Sequence, residues 1–214
     1  MIRTPLICLF GPDGSGKTTL ARALAERFKR KGMSVSVSWM RGTHTLASML
    51  ARFLSRLALF RGSDNPYYGI SIPESARRIW QLIEFISALP ILLIRFMLPC
   101  LLGYVVIAER YLPDFLVWVS LTTRDACYLR SLEARFLLAL SKKADVRVYV
   151  TASETELTKR RSGEVNREFL MKQLKLYDKV AKLIRAYKID TTERSIKEAL
   201  NELLNLARVL ITTM

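Results

Sequence analysis

Short apolar runs alternate along the chain with longer stretches in which apolar residues recur at helical spacing. The runs are LICLF (6–10), SVSVSW (34–39), YVVIA (104–108), VRVYV (146–150) and, more weakly, AYKID (186–190). Their length and β-branched content predict strands. Periodic segments over 17–31, 45–60, 74–97, 128–141, 154–161, 167–185 and 193–210 predict helices between them. The last is the clearest, with Ile196, Ala199, Leu200, Leu203, Leu204, Ala207 and Leu210 on one stripe suited to core packing. Strands separated by helices predict an α/β fold, a five-stranded parallel sheet covered on both faces, with ligands at the strands' C-terminal ends. The stretch RGSDNPYYGISIP (61–73) reads as a surface loop. No internal repeat is visible, and 1–214 reads as a single domain.

The first predicted strand runs directly into GPDGSGKT, residues 11–18, which fits G-x-x-x-x-G-K-[ST]. Gly11, Gly14 and Gly16 allow successive backbone N–H groups, with those of Asp13 and Ser15, to converge on phosphate at a helix N-terminus, where the helix dipole also favours an anion. Lys17 can then reach the β- and γ-phosphates, and Thr18, followed by Thr19, can offer its hydroxyl to Mg²⁺. The loop therefore predicts a site for ATP.

Two further features carry charge toward such a site. Glu109 and Arg110 emerge from the apolar strand VVIA, the carboxylate suited to Mg²⁺ and the guanidinium to a transferring phosphoryl group. Lys159, Arg160 and Arg161 precede the polar turn SGEVN, so a basic segment over about 159–167 could close on the phosphates.

In this order the features resemble the thymidylate kinase family of P-loop nucleoside monophosphate kinases. GPDGSGKTT is similar to that family's phosphate loop, ERY at 109–111 to its D-R-Y motif, and ADVRVYVTASETELTKRR to its strand, helix and basic lid. REFLMKQLKLYDKVAK and KIDTTERSIKEALNELL resemble the segments that follow the lid. The resemblance implies a P-loop NTPase fold with a small lid and transfer of the ATP γ-phosphate to deoxythymidylate. It also implies ATP on Lys17 and the loop amides, Mg²⁺ on Thr18 and Glu109, the acceptor on Asp13, Arg41, Phe85 and Arg110, and a catalytic lid arginine at Arg160 or Arg161.

The acceptor half departs from the family. Phe10 replaces the acidic residue before the loop, and Glu109 replaces the D-R-Y aspartate. The family's middle-helix arginine falls near EFIS (84–87), where none is present, and its Tyr-Gln pair is replaced within FLVWVS (115–120). MRGTH (40–44) keeps Arg41 but loses the acid and proline of the family's Arg-Glu-Pro-Gly. His44, the one histidine, reads as a loop or hydrogen-bonding residue, and Trp39, Trp80 and Trp118 as core or interface.

Composition bears on partners. A formal charge of +15, from 34 basic and 19 acidic residues, points to anionic partners. Cys8, Cys100 and Cys127 are scattered among apolar residues, which suits a reducing cytoplasm. No signal peptide is evident in MIRTPLICLF. Residues 82–108 form the most apolar region, but Glu84, Arg95, Pro90 and Pro99 divide it below the roughly 20 apolar residues of a bilayer span. A homodimer interface is the expected use of this region, and contact with a membrane surface the alternative. The departures leave room for a kinase acting on a hydrophobic or membrane-surface acceptor, and for a nucleotide-gated nucleic-acid-binding module, although no nucleic-acid motif appears.

Overall fold

Every side chain of β1 (Leu6–Phe10) is buried, because its two faces point into two different cores. Ile7 and Leu9 join a cluster with Leu20, Leu24 and Phe28 of α1 (Lys17–Lys29) and Ala199 and Leu203 of α9 (Ile196–Ile211). Leu6, Cys8 and Phe10 face the opposite layer, built from Ala88, Leu92, Phe115, Leu137, Tyr177 and their neighbours. The alternation follows from the two-residue period of a strand, and burial on both faces explains why LICLF reads as an unbroken apolar run.

The computed structural model describes residues 4–161 and 166–211. The remaining elements are β2 (Val35–Ser38), α2 (Thr45–Leu54), β3 (Arg61–Asn65), α3 (Arg77–Leu92), α4 (Leu98–Leu101), β4 (Val105–Glu109), α5 (Leu112–Thr122), α6 (Leu132–Ser141), β5 (Val146–Thr151), α7 (Glu154–Arg160), α8 (Arg167–Ile184) and β6 (Tyr187–Asp190). Five strands form one parallel sheet in the order β2-β4-β1-β5-β6, as the periodicity predicts. The register pairs Leu9 with Glu109 and Phe10 with Tyr149, so β4 and β5 both end beside the loop that leaves β1.

Three features differ from the periodic reading. The expected loop at 61–73 contains β3, which stays outside the sheet and bridges Ile70 from Arg61 and Asn65. A helix, α5, stands where FLVWVS showed no helical period; almost all its residues are buried, so it has no polar face to reveal it. The apolar helix from Arg77 runs through a π turn, Leu93–Met97, into α4. Pro99 has no N–H to give the Arg95 carbonyl, and Ser38 Oγ donates to that carbonyl instead at 2.7 Å, fastening the helix to the edge strand β2.

Candidate active site

Three glycines shape the loop between β1 and α1. Gly11, Gly14 and Gly16 take φ of 141°, 83° and 89°, in the region that favours glycine. A Cβ on Gly11 would also collide with the Val150 carbonyl oxygen on β5, so the sheet itself requires glycine there. Gly16 begins α1 without a side-chain cap, and the first turn holds no acidic residue, so its amides are left for an external anion. Lys17 is 3% exposed. Its Nζ donates to the Pro12 carbonyl and, at 3.2 Å, to Ser15 Oγ, folded over the loop at the place a phosphate would fill. Thr18 Oγ1 donates to Glu109 Oε1, bringing together the two oxygen ligands expected for Mg²⁺. A phosphate cradle with adjacent hydroxyl and carboxylate fits ATP with Mg²⁺.

Beyond the loop, Asp13 lies between two guanidiniums. Arg41 reaches it from the end of β2 at 2.6 Å, and Arg110 pairs with its other oxygen from the end of β4. Burial opposes the charge on Asp13, but Arg110, Arg41 and Lys17 outweigh it and bring the carboxyl down to about 2. Arg110 has φ 74°, an uncommon backbone for a non-glycine residue. Its turn is held from both sides: Arg110 N–H donates to the Leu9 carbonyl at 2.9 Å, and its Nη1 donates to Asp114 at 3.0 Å. Asp114 is 1% exposed and also accepts from Tyr177 Oη at 2.8 Å, Tyr111 N at 3.2 Å and Gly11 N at 3.4 Å. One buried carboxylate thus positions Arg110 and steadies the first residue of the phosphate loop.

The lid arginines approach from the other side. Arg160 donates to the Gly14 carbonyl at 3.2 Å and to the Thr191 carbonyl at 2.8 Å, while Thr191 Oγ1 donates to the Ser15 carbonyl at 3.1 Å. Arg161 packs against Gly14, and its Nη1 is buried without a hydrogen-bond partner among the described residues. The remainder of the expected lid, 162–165, lies outside the described residues. A cavity of about 510 Å³ runs from Asp13, Lys17 and Arg160 to Arg194, Ser195 and Ile196 at the start of α9, with Thr19 also on its wall.

A second cavity, of about 740 Å³, opens on the far side of Arg41 and is lined by Trp39, Thr43, His44, Arg52 and Tyr67. Arg41 is clamped there, donating to Tyr67 Oη at 2.6 Å and lying 5.0 Å from the centre of the Trp118 ring, on which Tyr67 stacks. His44 accepts from the Arg41 N–H at 3.3 Å, a hydrogen-bonding role in a loop. Below lies Glu84, fully buried, accepting from the Thr43 amide and hydroxyl, each at 2.6 Å; burial pushes its carboxyl up to about 7 against those bonds. Phe85 stands apart from this group, partly buried against the large core cluster and edge-on to the half-exposed Phe136. The structure therefore gathers Asp13, Arg41, Lys17, Thr18, Glu109, Arg110, Arg160 and Arg161 around the loop, and puts Phe85 elsewhere. Asp114 and Tyr67 belong to the site without any motif having marked them, while Tyr177 and Thr191 fall in the segments after the lid that resemble the kinase family, where no motif points to either residue.

A family model described as "ATPase family associated with various cellular activities (AAA)" matches residues 7–95, from β1 into the π turn after α3. This is less than half of the chain and stops before Glu109, Arg110 and the lid. A 36-residue stretch is 50% identical to a Lon protease of Parabacteroides distasonis, covering 17% of this chain and 4% of that enzyme. Neither match is to a thymidylate kinase. With the parallel sheet, the glycine loop and the buried lysine, they decide the class. This is a P-loop NTPase fold.

Lys17 has an unusual proton balance. Burial, Arg110 and Arg41 push its ammonium down to about 7, although Asp114 and Asp13 pull the other way. At pH 8 the free lysine is therefore mostly neutral, and the phosphates of ATP restore its charge. ATP binding at pH 8 is expected to take up about one proton at this residue. Titration calorimetry in two buffers of different ionisation enthalpy reads this directly. Equal uptake in Lys17→Met would contradict it.

Proposed function

We propose that this P-loop protein is an ATP-dependent phosphotransferase whose acceptor binds on the Arg41 side of Asp13. The observation that carries the reading is the Asp13–Arg41 pair at 2.6 Å, because Asp13 lines the cavity that holds the phosphate loop and Arg41 lines the second cavity. A hydrolase needs room only for water next to the γ-phosphate. Here a second cavity lies on the other side of the Asp13–Arg41 pair from the cavity of the phosphate loop.

In this reading an acceptor oxygen bonds to the γ-phosphorus as the bond to the β–γ bridging oxygen breaks, leaving ADP. Lys17, Arg110 and a lid arginine face the charge that spreads over the transferring oxygens. Thr18 and Glu109 would hold Mg²⁺, which neutralises charge on the β- and γ-phosphates. Arg41, fixed by Tyr67 and Trp118, suits an anionic group on the acceptor, and Arg110 can contact both partners. Resemblance of the loop, the E-R-Y turn and the lid supports deoxythymidylate as the acceptor.

A second reading has its own support. Phe85 packs on Phe136 rather than beside Arg41, where the Trp118–Tyr67 stack stands instead, and α2 borders the second cavity with an apolar outer surface. These features favour an amphiphilic alcohol or phosphate. ADP formation with Mg²⁺ and a panel of nucleoside monophosphates, nucleosides and polyprenyl or sugar alcohols separates the two. Stimulation by deoxythymidylate, with a raised KM in Arg41→Ala, supports the first; stimulation only by a non-nucleotide replaces it with the second. Turnover indifferent to every acceptor contradicts both.

A further inference from the structure

The helix α2 is built with its small residues inward. Ala47 and Ala51 are fully buried in a cluster with Ile70, Ile72 and Trp80, whereas Met49 and Phe53 are 71% and 59% exposed. Leu57 and Leu59 continue the apolar surface past the helix end. The same holds on the long helix of α3 and α4, where Ile79, Ile86, Leu93, Ile94 and Leu101 are each more than half exposed. Next to α3 lies α6, joined by the Arg78–Glu133 ion pair and the Phe85–Phe136 contact, and it exposes Leu132 and Phe136. Faces of this kind on a monomer mark contact with another macromolecule or a membrane.

Charge decides between these occupants. Arg52 on α2 and Arg135 on α6, with Arg56, Arg61 and Lys142 beyond the ends of these two helices, are exposed and make no ion pair among the described residues. The carboxylates nearby are engaged: Glu84 is buried and accepts from Thr43, Glu133 pairs with Arg78, and Glu74 pairs with Arg77. An isologous dimer through this face would bring the unpaired cations of one copy toward those of the other. An anionic bilayer would attract them and cover the apolar side chains at once.

The helix Glu74–Leu101, 28 residues, is long and apolar enough to cross a membrane, but its inner face is committed to the protein. Gln81 donates to Asp125 at 2.9 Å, and the buried Glu84 holds Thr43, so withdrawal into lipid would strand polar groups. The helix must then lie along a surface.

We infer that the outer faces of α2 and of the α3–α4 helix, with α6 beside them, seat this protein on an anionic bilayer. Apolar side chains enter the boundary between headgroups and acyl chains, and the arginines meet lipid phosphates. This inference does not depend on the identity of the acceptor.

Flotation of the full chain with vesicles tests it, comparing phosphatidylcholine alone with phosphatidylcholine mixed with phosphatidylglycerol. Binding is expected to favour the anionic vesicles by about tenfold or more and to weaken with salt. Ile86→Glu with Ile94→Glu should abolish flotation. Arg56→Ala, Arg61→Ala and Arg135→Ala combined, all at exposed side chains, should remove the preference for anionic lipid. Both variants should retain ATP binding, which verifies their fold. Failure to float, or flotation unchanged in both variants, overturns the inference. A non-floating protein that sediments as a dimer and dissociates with Ile86→Glu overturns it and assigns the face to a second copy.

Discussion

Lys17→Ala is expected to lower turnover by roughly two to three orders of magnitude while leaving the protein folded. The ammonium contributes most when charge spreads over the transferring phosphoryl oxygens, and removal of one such donor costs about 2.7–4 kcal/mol of barrier. Folding should tolerate the change. Lys17 is buried beside Arg110 and Arg41, its ammonium is pushed down to about 7, and its charged form is therefore not a source of native stability near neutral pH. Steady-state turnover together with a thermal melt checks both halves. A folded variant with unchanged turnover would mean that this loop is not where phosphoryl chemistry occurs.

Asp114→Ala should act in the opposite way, on stability first. Its carboxylate faces Arg110, accepts from Tyr177 and receives the Tyr111 and Gly11 amides. Truncation would leave a guanidinium that is 6% exposed without its main structural partner, and three donors unpaired. Removing one member of a buried pair costs about 3–5 kcal/mol, a large share of the roughly 5–15 kcal/mol that holds a domain together. The measurement is the urea midpoint, expected to fall sharply, with Asp114→Asn losing less because it keeps an acceptor oxygen. An unchanged midpoint would show that Arg110 finds another partner and that the left-handed turn at 110 does not depend on Asp114.

These two residues also mark the limits of what the amino-acid sequence discloses. Lys17 is legible because a phosphate loop is local: spacing, glycines and lysine lie within eight positions, between a strand and a helix. The three inner strands β4, β1 and β5 are legible for a similar reason, since burial on both faces makes them nearly continuous apolar runs, whereas the edge strands β2 and β6 are partly exposed and carry polar residues. Asp114 has no such signature. It sits in LPDFLVW at the start of a helix that is buried almost all round, so neither the helix nor the carboxylate stands out by period. Asp114 holds Arg110 from α5, and Tyr177 donates to Asp114 from α8, 63 positions further on, a group joined only by folding. The outward side of α2 was concealed differently. Leu46, Met49 and Phe53 look like a core stripe, and only the packing of Ala47 and Ala51 against Trp80 shows that the large residues face away.

The acceptor reading rests on Arg41 and Arg110 meeting at Asp13, and the fate of the γ-phosphoryl group tests it most directly. With γ-labelled ATP, Mg²⁺ and the acceptor panel, the label should appear on an acceptor rather than as inorganic phosphate, and Arg110→Ala should suppress that product. Label released only as inorganic phosphate, at the same rate with and without every acceptor, would contradict the account and leave a P-loop ATPase in its place.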